Sequence, residues 1–132
     1  MTPITPESKE TLTKLRNLLL EQHKLLLDRE RATYEAENGD IGGPGKFLTL
    51  VLGDPHFAWL KVLSTMVVEI DEAISRRSTA EQPVADALLA QAREVVRPRE
   101  TGTDFQQRYY AAVQDSPDVV ILQCKIERVL GL

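Results

Sequence analysis

Apolar residues recur every three or four positions through most of the chain, which is the period of an amphipathic α-helix. The first such run predicts a long helix over residues 6–37. We expect it to end at Asn38-Gly39, because glycine readily adopts the left-handed conformation that closes a last helical turn. One face of this helix carries a row of leucines, namely Leu12, Leu15, Leu18, Leu19, Leu25 and Leu26.

Five further elements follow, and the first helix and two of these five have clear start signals. Thr5-Pro6, Asp54-Pro55 and Ser116-Pro117 each put a side-chain oxygen at the N-cap and a proline at the first helical position. The first of the five could also be a strand, but no second strand candidate is present to pair with it, so a helical turn or two is favoured. The predicted helices cover residues 45–52, 55–75, 80–96, 103–114 and 117–130.

The apolar faces predict an all-α bundle of about four main helices and one or two short ones, in a single domain over residues 1–132. We expect the leucine face of the first helix to pack on the third predicted helix. The face of that third helix comprises Trp59, Val62, Leu63, Met66, Val67, Ile70 and Ile74. The apolar faces of the last three predicted helices comprise, in chain order, Val84, Leu88, Leu89, Ala92, Val95 and Val96; Phe105, Tyr109, Ala112 and Val113; and Val119, Leu122, Ile126, Val129 and Leu130.

The last predicted helix carries apolar residues on a second side. Val120, Ile121 and Cys124 lie away from its main apolar stripe. Either the rest of the chain covers them or a second subunit does. The sequence therefore raises a homodimer, or another protein partner, as one of two alternatives.

Charge and composition exclude several classes of function. The formal net charge is −4 and the basic residues are scattered among acidic ones, so no nucleic-acid partner is expected. Residues 47–52 form one of the longest apolar runs, far short of the roughly 18 to 20 residues that span a bilayer. The chain start lacks the features of a secretory signal, and Cys124 is the sole cysteine. We expect a cytoplasmic protein with no membrane association.

A glycine-rich segment, residues 38–60, holds five of the seven glycines and the only tryptophan. Its resemblance to a phosphate-binding loop fails at two positions. Gly45-Lys46 is followed by Phe47 rather than by serine or threonine, and Asp40 stands where the first glycine belongs. We therefore interpret the glycines as a turn between helices.

No pattern typical of a metal or catalytic centre is present. Metal-binding bundles pair Glu-x-x-His motifs on facing helices, whereas this chain has only His23 and His56, neither three residues after a glutamate. Cys124 has no neighbouring histidine in sequence, and no serine sits in a nucleophile-elbow pattern. The sequence predicts no metal and no cofactor, and it leaves the catalytic residues unknown.

Polar residues interrupt the leucine face of the first helix. Gln22 and Arg29 project near the middle of the stripe, while other polar side chains line one edge. A buried guanidinium needs a partner, and Glu30, Glu69 or Glu72 could supply a carboxylate. The simplest interpretation is an internal ion pair that fixes the register of the helices.

The alternative interpretation is a pocket with a polar floor at one end of the bundle, which would hold a small anionic or aromatic ligand. His56 would sit near the positive terminus of a helix, which favours a neutral imidazole. Otherwise His56 fills the bundle end and bonds to loop backbone. The candidate pocket residues are His23, Arg29, Glu30, Tyr34, His56 and Trp59.

Several short motifs within residues 15–75 resemble those of a family of small, uncharacterised, all-helical bacterial proteins. They include residues 15–24, Asp-Arg-Glu-Arg at 28–31, Tyr-Glu at 34–35, Pro-Gly at 44–45, and Asp-Pro-His-Phe-Ala-Trp-Leu at 54–60. The resemblance implies a helical fold in a bacterial cytoplasm. The family has no assigned activity, so the resemblance assigns no functional residue.

Three hypotheses for function follow. The leading one is a small non-enzymatic helical interaction or regulatory protein, because the apolar faces are complete and no catalytic constellation is evident. The second is a small-ligand binder that uses the pocket described above. The third is an enzyme with His23 or His56 as general base.

Overall fold

The computed structural model describes all 132 residues, and it contains seven α-helices and no strand. The prediction of an all-α fold is confirmed. No helix combines the length and the apolar character needed to cross a membrane. The helices are α1 (Pro6–Asn38), α2 (Pro44–Gly53), α3 (Pro55–Ala58), α4 (Lys61–Ile74), α5 (Gln82–Val95), α6 (Asp104–Asp115) and α7 (Pro117–Val129).

The helix start signals act as the sequence predicts. The side chains of Thr5, Asp54 and Ser116 each accept a hydrogen bond from a backbone N–H in the first turn of α1, α3 and α7 respectively. Each of these turns would otherwise leave backbone donors without partners. Gly39 follows α1 with a φ of 84°, which confirms the predicted end of the long first helix.

The prediction of one helix over residues 55–75 is wrong, because the chain turns at Trp59 and Leu60 and forms α3 and α4 instead. At these two residues the chain keeps helical φ and ψ but tightens, and the Leu60 N–H donates to the Phe57 carbonyl three residues back. On one continuous helix Phe57 and Trp59 would project about 200° apart. Both are buried, but in different places: Trp59 and Leu60 belong to the main core cluster, whereas Phe57 lies outside it and packs on Phe47 of α2.

The core forms around α1, which packs against α4, α7 and α5. Twenty-one buried residues form one hydrophobic cluster. Within the predicted leucine row, Leu12, Leu15, Leu19 and Leu26 are fully buried, and the other two pack against them from the edge. The predicted packing of the first helix on the third predicted helix is confirmed, since α1 contacts both α4 and α3.

Two predicted core residues, Val62 and Val84, are instead exposed. Each lies about 100° around its helix from a buried neighbour, Leu63 in α4 and Ala85 in α5. The core therefore covers a narrower stripe of these two helices than the run of apolar residues suggests.

The second apolar side of α7 is not covered by the rest of the chain. Val120, Ile121 and Cys124 are all exposed to solvent. Of the two alternatives raised by the sequence, burial within the same fold is therefore excluded.

Candidate functional site

The six candidate pocket residues do not line one common pocket. Three of them, His56, Glu30 and Tyr34, lie together where α3 meets the end of α1. The other three, His23, Arg29 and Trp59, lie at three separate places on the bundle.

The contact between His56 and Glu30 joins α3 to α1. The Asp54 cap places His56 in the first turn of α3, with its Nε2 atom 2.8 Å from Glu30 Oε2 and 3.0 Å from the Glu30 carbonyl oxygen. The Tyr34 ring meets the imidazole edge-on at 5.6 Å. Both the imidazole and the carboxylate are partly buried. The pair fixes the orientation of the imidazole, and His56 bonds to helix backbone rather than to a loop.

An aromatic layer continues from this pair to α2. The buried Phe57 ring lies 5.0 Å from His56, 5.6 Å from Tyr34 and 5.8 Å from Phe47 of α2. The Arg31 guanidinium lies over the Phe47 ring, 4.5 Å from its centre. These contacts attach α2 to the bundle.

Arg29 does not pair with Glu30, Glu69 or Glu72, so that prediction is wrong. Its Nη2 atom lies 2.6 Å from Oδ2 of Asp115, the last residue of α6. The Arg29 side chain is 32% exposed and that of Asp115 is 75% exposed, so this is a surface ion pair rather than an internal one. The packing of α7 on α1 and of α6 on α7 brings the Asp115 carboxylate within reach.

Gln22 is the polar residue of α1 that is truly internal. Its Nε2 atom donates to the Tyr109 hydroxyl at 2.8 Å and to the Val119 carbonyl at 3.0 Å. Tyr109 donates to Gln123, whose Nε2 atom donates in turn to the Val96 carbonyl at 2.9 Å. Burial raises the pKa of Tyr109 well above its usual value. This network, which we call the glutamine–tyrosine network, ties α1 to α6, α7 and the end of α5.

His23 borders a groove of about 370 Å³ between α2, α3 and the start of α4. Burial lowers the pKa of His23 below its usual value, so the neutral imidazole is favoured. Val51 and Leu52 of α2 form one side of the groove, and Leu60 and Lys61 form another.

Trp59 borders a different cavity, of about 520 Å³, between α3, α5 and α6. The Trp59 and Phe105 rings pack 5.6 Å apart in its wall, and Val62 and Val95 add further apolar surface. Glu94 and Asp104 contribute carboxylates. The sequence singled out Trp59 alone, since the contacts from α5 and α6 arise from distant parts of the chain.

The short helix α2 has an unusual surface position. Five of its ten residues are Phe, Leu or Val, yet none of its residues is buried. Leu48 is 59% exposed and Leu52 is 78% exposed. The sequence predicted a short helix here, next to a turn between helices, and did not indicate a surface for binding.

The structure contains no group of side chains typical of a metal site. No three His, Cys, Asp or Glu side chains lie close enough together to hold a metal ion. No protein-family model matches the chain, and comparisons with curated proteins and with solved structures give no significant match. The resemblance to a bacterial family and the role of His23 or His56 as a general base therefore both stay predictions.

Proposed function

We propose that this protein is a small non-enzymatic interaction protein that binds a protein partner through α2. The observation that carries the proposal is the exposure of α2, an apolar helix none of whose residues is buried. Apolar surface of this kind is unfavourable in water, and contiguous apolar patches commonly mark interaction sites.

The outer face of α2 has the form of a contact surface. Leu48 and Leu52 are four residues apart and therefore lie on the same side of the helix. Lys46 is the only charged residue of α2, so little charge has to be desolvated on binding. The groove beside Leu52 extends this apolar surface towards Leu60. An amphipathic helix of a partner would fit such a ridge and groove.

The aromatic layer holds α2 in place before any partner binds. Phe47 is fixed between the Phe57 ring and the Arg31 guanidinium. A surface that is ordered in advance loses less conformational entropy on binding than a flexible segment does. The free protein therefore presents the Leu48 and Leu52 side chains on a preformed helix.

The test compares the double variant Leu48→Glu/Leu52→Glu with the wild type and with Val68→Glu. Val68, on α4, is 53% exposed and serves as the matched control. We expect at least one protein from lysate of the source cell to be captured by the wild type and by Val68→Glu, and about tenfold less by the double variant. Quantitative mass spectrometry measures the capture, and binding of the purified partner confirms it.

All three proteins should have the same melting temperature, because these side chains are exposed. If every captured protein binds the double variant as well as the wild type, α2 is not the contact surface and the proposal fails.

The cavity beside Trp59 supports a second candidate function, the binding of a small organic cation with an aromatic body. Its volume of about 520 Å³ lies within the usual range for ligand sites. The Trp59 and Phe105 rings suit an aromatic group, and the carboxylates of Glu94 and Asp104 suit a positive charge. The sequence suggested an anionic or an aromatic ligand; the ligand proposed for this cavity is aromatic but carries a positive charge.

Both carboxylates already pair with arginines at the surface. Glu94 lies 3.4 Å from Arg99, and Asp104 lies 3.1 Å from Arg108. All four side chains are more than 40% exposed, and such pairs contribute little to stability. A cationic ligand group can therefore take the place of either arginine.

The only tryptophan of the chain reports directly on this cavity. Titration with phenyltrimethylammonium should change Trp59 fluorescence in a saturable way, and Val62→Phe, which fills part of the cavity, should raise the Kd about tenfold. Benzoate, with a similar ring and a negative charge, is the control. An equal response to benzoate, or no saturation with the cation, would show that this site does not select organic cations.

A further inference from the structure

The solvent side of α7 carries a regular stripe. Pro117, Ile121, Cys124 and Arg128 are spaced by four, three and four residues, and all four are exposed. This spacing places them in one row along the helix and matches the seam of a coiled coil. Ile121 is 54% exposed at the centre of the row. We call this row the α7 stripe.

Two unpaired charges flank the α7 stripe on the same side. Asp118 and Lys125 are seven residues apart, so they project within about 20° of each other. Both are exposed, and neither takes part in any ion pair of the chain. At two helical turns apart, they are too distant to pair with one another.

These positions are complementary to themselves under a twofold rotation. If a second copy packs its α7 antiparallel on this face, Ile121 lies opposite Cys124 of that copy. Asp118 then faces Lys125 of the second copy, and the reverse contact forms at the other end. In a parallel twofold pair, the flanks that carry Asp118 and Lys125 would lie on opposite sides of the contact, so these charges of the two copies would not meet. The charges therefore favour the antiparallel arrangement.

We propose that a second copy of this chain docks on the α7 stripe about a twofold axis that passes between Ile121 and Cys124. In such a dimer, the second copy covers the side of α7 that the fold leaves exposed. It does not depend on the α2 surface proposed above, because α2 and α7 are different helices and share no residue of either contact.

The size of the contact sets the expected strength. A helix of 13 residues is about 20 Å long, so one pair of helices buries less than the roughly 1,600 Å² of a standard interface. We therefore expect a weak dimer, with a Kd of about 1 to 100 μM, formed at high protein concentration.

Sedimentation velocity over a concentration series tests the surface and its register. The wild type should shift from monomer to dimer, whereas Ile121→Glu should stay monomeric. Asp118→Lys and Lys125→Asp should each raise the Kd at least about tenfold, because each places like charges together twice per dimer. The double variant Asp118→Lys/Lys125→Asp should restore a Kd near that of the wild type. Val68→Glu, on the exposed side of α4, is the matched control.

Cys124 provides a second measurement, since any cysteine cross-link between two copies must join Cys124 to Cys124. A short bifunctional maleimide should give cross-linked dimer with the wild type and with the double charge swap, but not with Ile121→Glu. Melting temperatures establish that every variant is folded.

Three outcomes would overturn the proposal: a wild type that is monomeric at all concentrations, a dimer that Ile121→Glu does not weaken, or a charge swap that fails to restore association. The α2 variant Leu48→Glu/Leu52→Glu should dimerise like the wild type. A dimer lost in that variant and kept in Ile121→Glu would place self-association on α2 instead.

Discussion

Replacement of Tyr109 by alanine is expected to lower the free energy of unfolding by about 3 to 5 kcal/mol, a large part of the stability of a domain of this size. Tyr109 is fully buried, and its ring stacks on Phe105 at 5.4 Å. The substitution opens a cavity at the centre of the bundle. It also leaves Gln22 and Gln123 without the hydroxyl that joins them. Urea denaturation followed by circular dichroism measures the loss.

Tyr109→Phe separates the contribution of the ring from that of the hydroxyl. It keeps the packing and removes the two hydrogen bonds, so we expect a smaller loss of about 1 to 3 kcal/mol. If Tyr109→Phe is as stable as the wild type, the glutamine–tyrosine network adds no stability beyond the burial of the ring.

Phe57→Ala is expected to destabilise the protein by about 3 to 5 kcal/mol and to loosen α2. Phe57 is the buried ring on which Phe47, Tyr34 and His56 all pack. Since α2 has no buried residue of its own, it depends on this layer for its attachment. Urea denaturation measures the stability, and the backbone amides of α2 should exchange with deuterium about tenfold faster or more.

Phe47→Ala is the companion variant, because it removes the α2 side of the same contact and keeps the Phe57 ring. It should speed exchange in α2 while the free energy of global unfolding falls by less than in Phe57→Ala. Unchanged α2 exchange in both variants would show that another contact holds this helix.

The two proposed surfaces have a joint consequence. A dimer formed through the α7 stripe would carry two copies of the α2 surface. A partner with two binding segments could engage both, which raises the effective affinity without any new contact, provided that the geometry allows it. Loss of dimerisation by Ile121→Glu would then weaken binding of such a partner even though α2 is intact.

The sequence determined the features that depend on local interactions. The caps at Thr5, Asp54 and Ser116 and the stop at Gly39 involve residues within one helical turn, so their effect can be predicted from neighbouring positions. The leucine row of α1 was identified for the same reason, since helical periodicity alone places those side chains on one face.

The tertiary structure decided which polar groups are internal and which apolar groups are not. Gln22 and Arg29 are seven residues apart on the same face of α1, and the sequence treated them alike. Gln22 is buried because Tyr109 and Val119 lie opposite it, whereas Arg29 reaches Asp115 at the surface. These partners are more than 80 residues away, and helical periodicity carries no information on what faces a helix.

The same limit applies to the break between α3 and α4, to the exposure of α2 and to the exposed second side of α7. Apolar residues in all four helices follow similar patterns, so the sequence indicated apolar sides on these helices, two of them on α7, and not which would be covered. Whether an apolar side meets the core depends on how many neighbours can pack around α1, which is a property of the assembled bundle. The sequence determined the helices and their faces, and only the packing determined which faces remain free to bind.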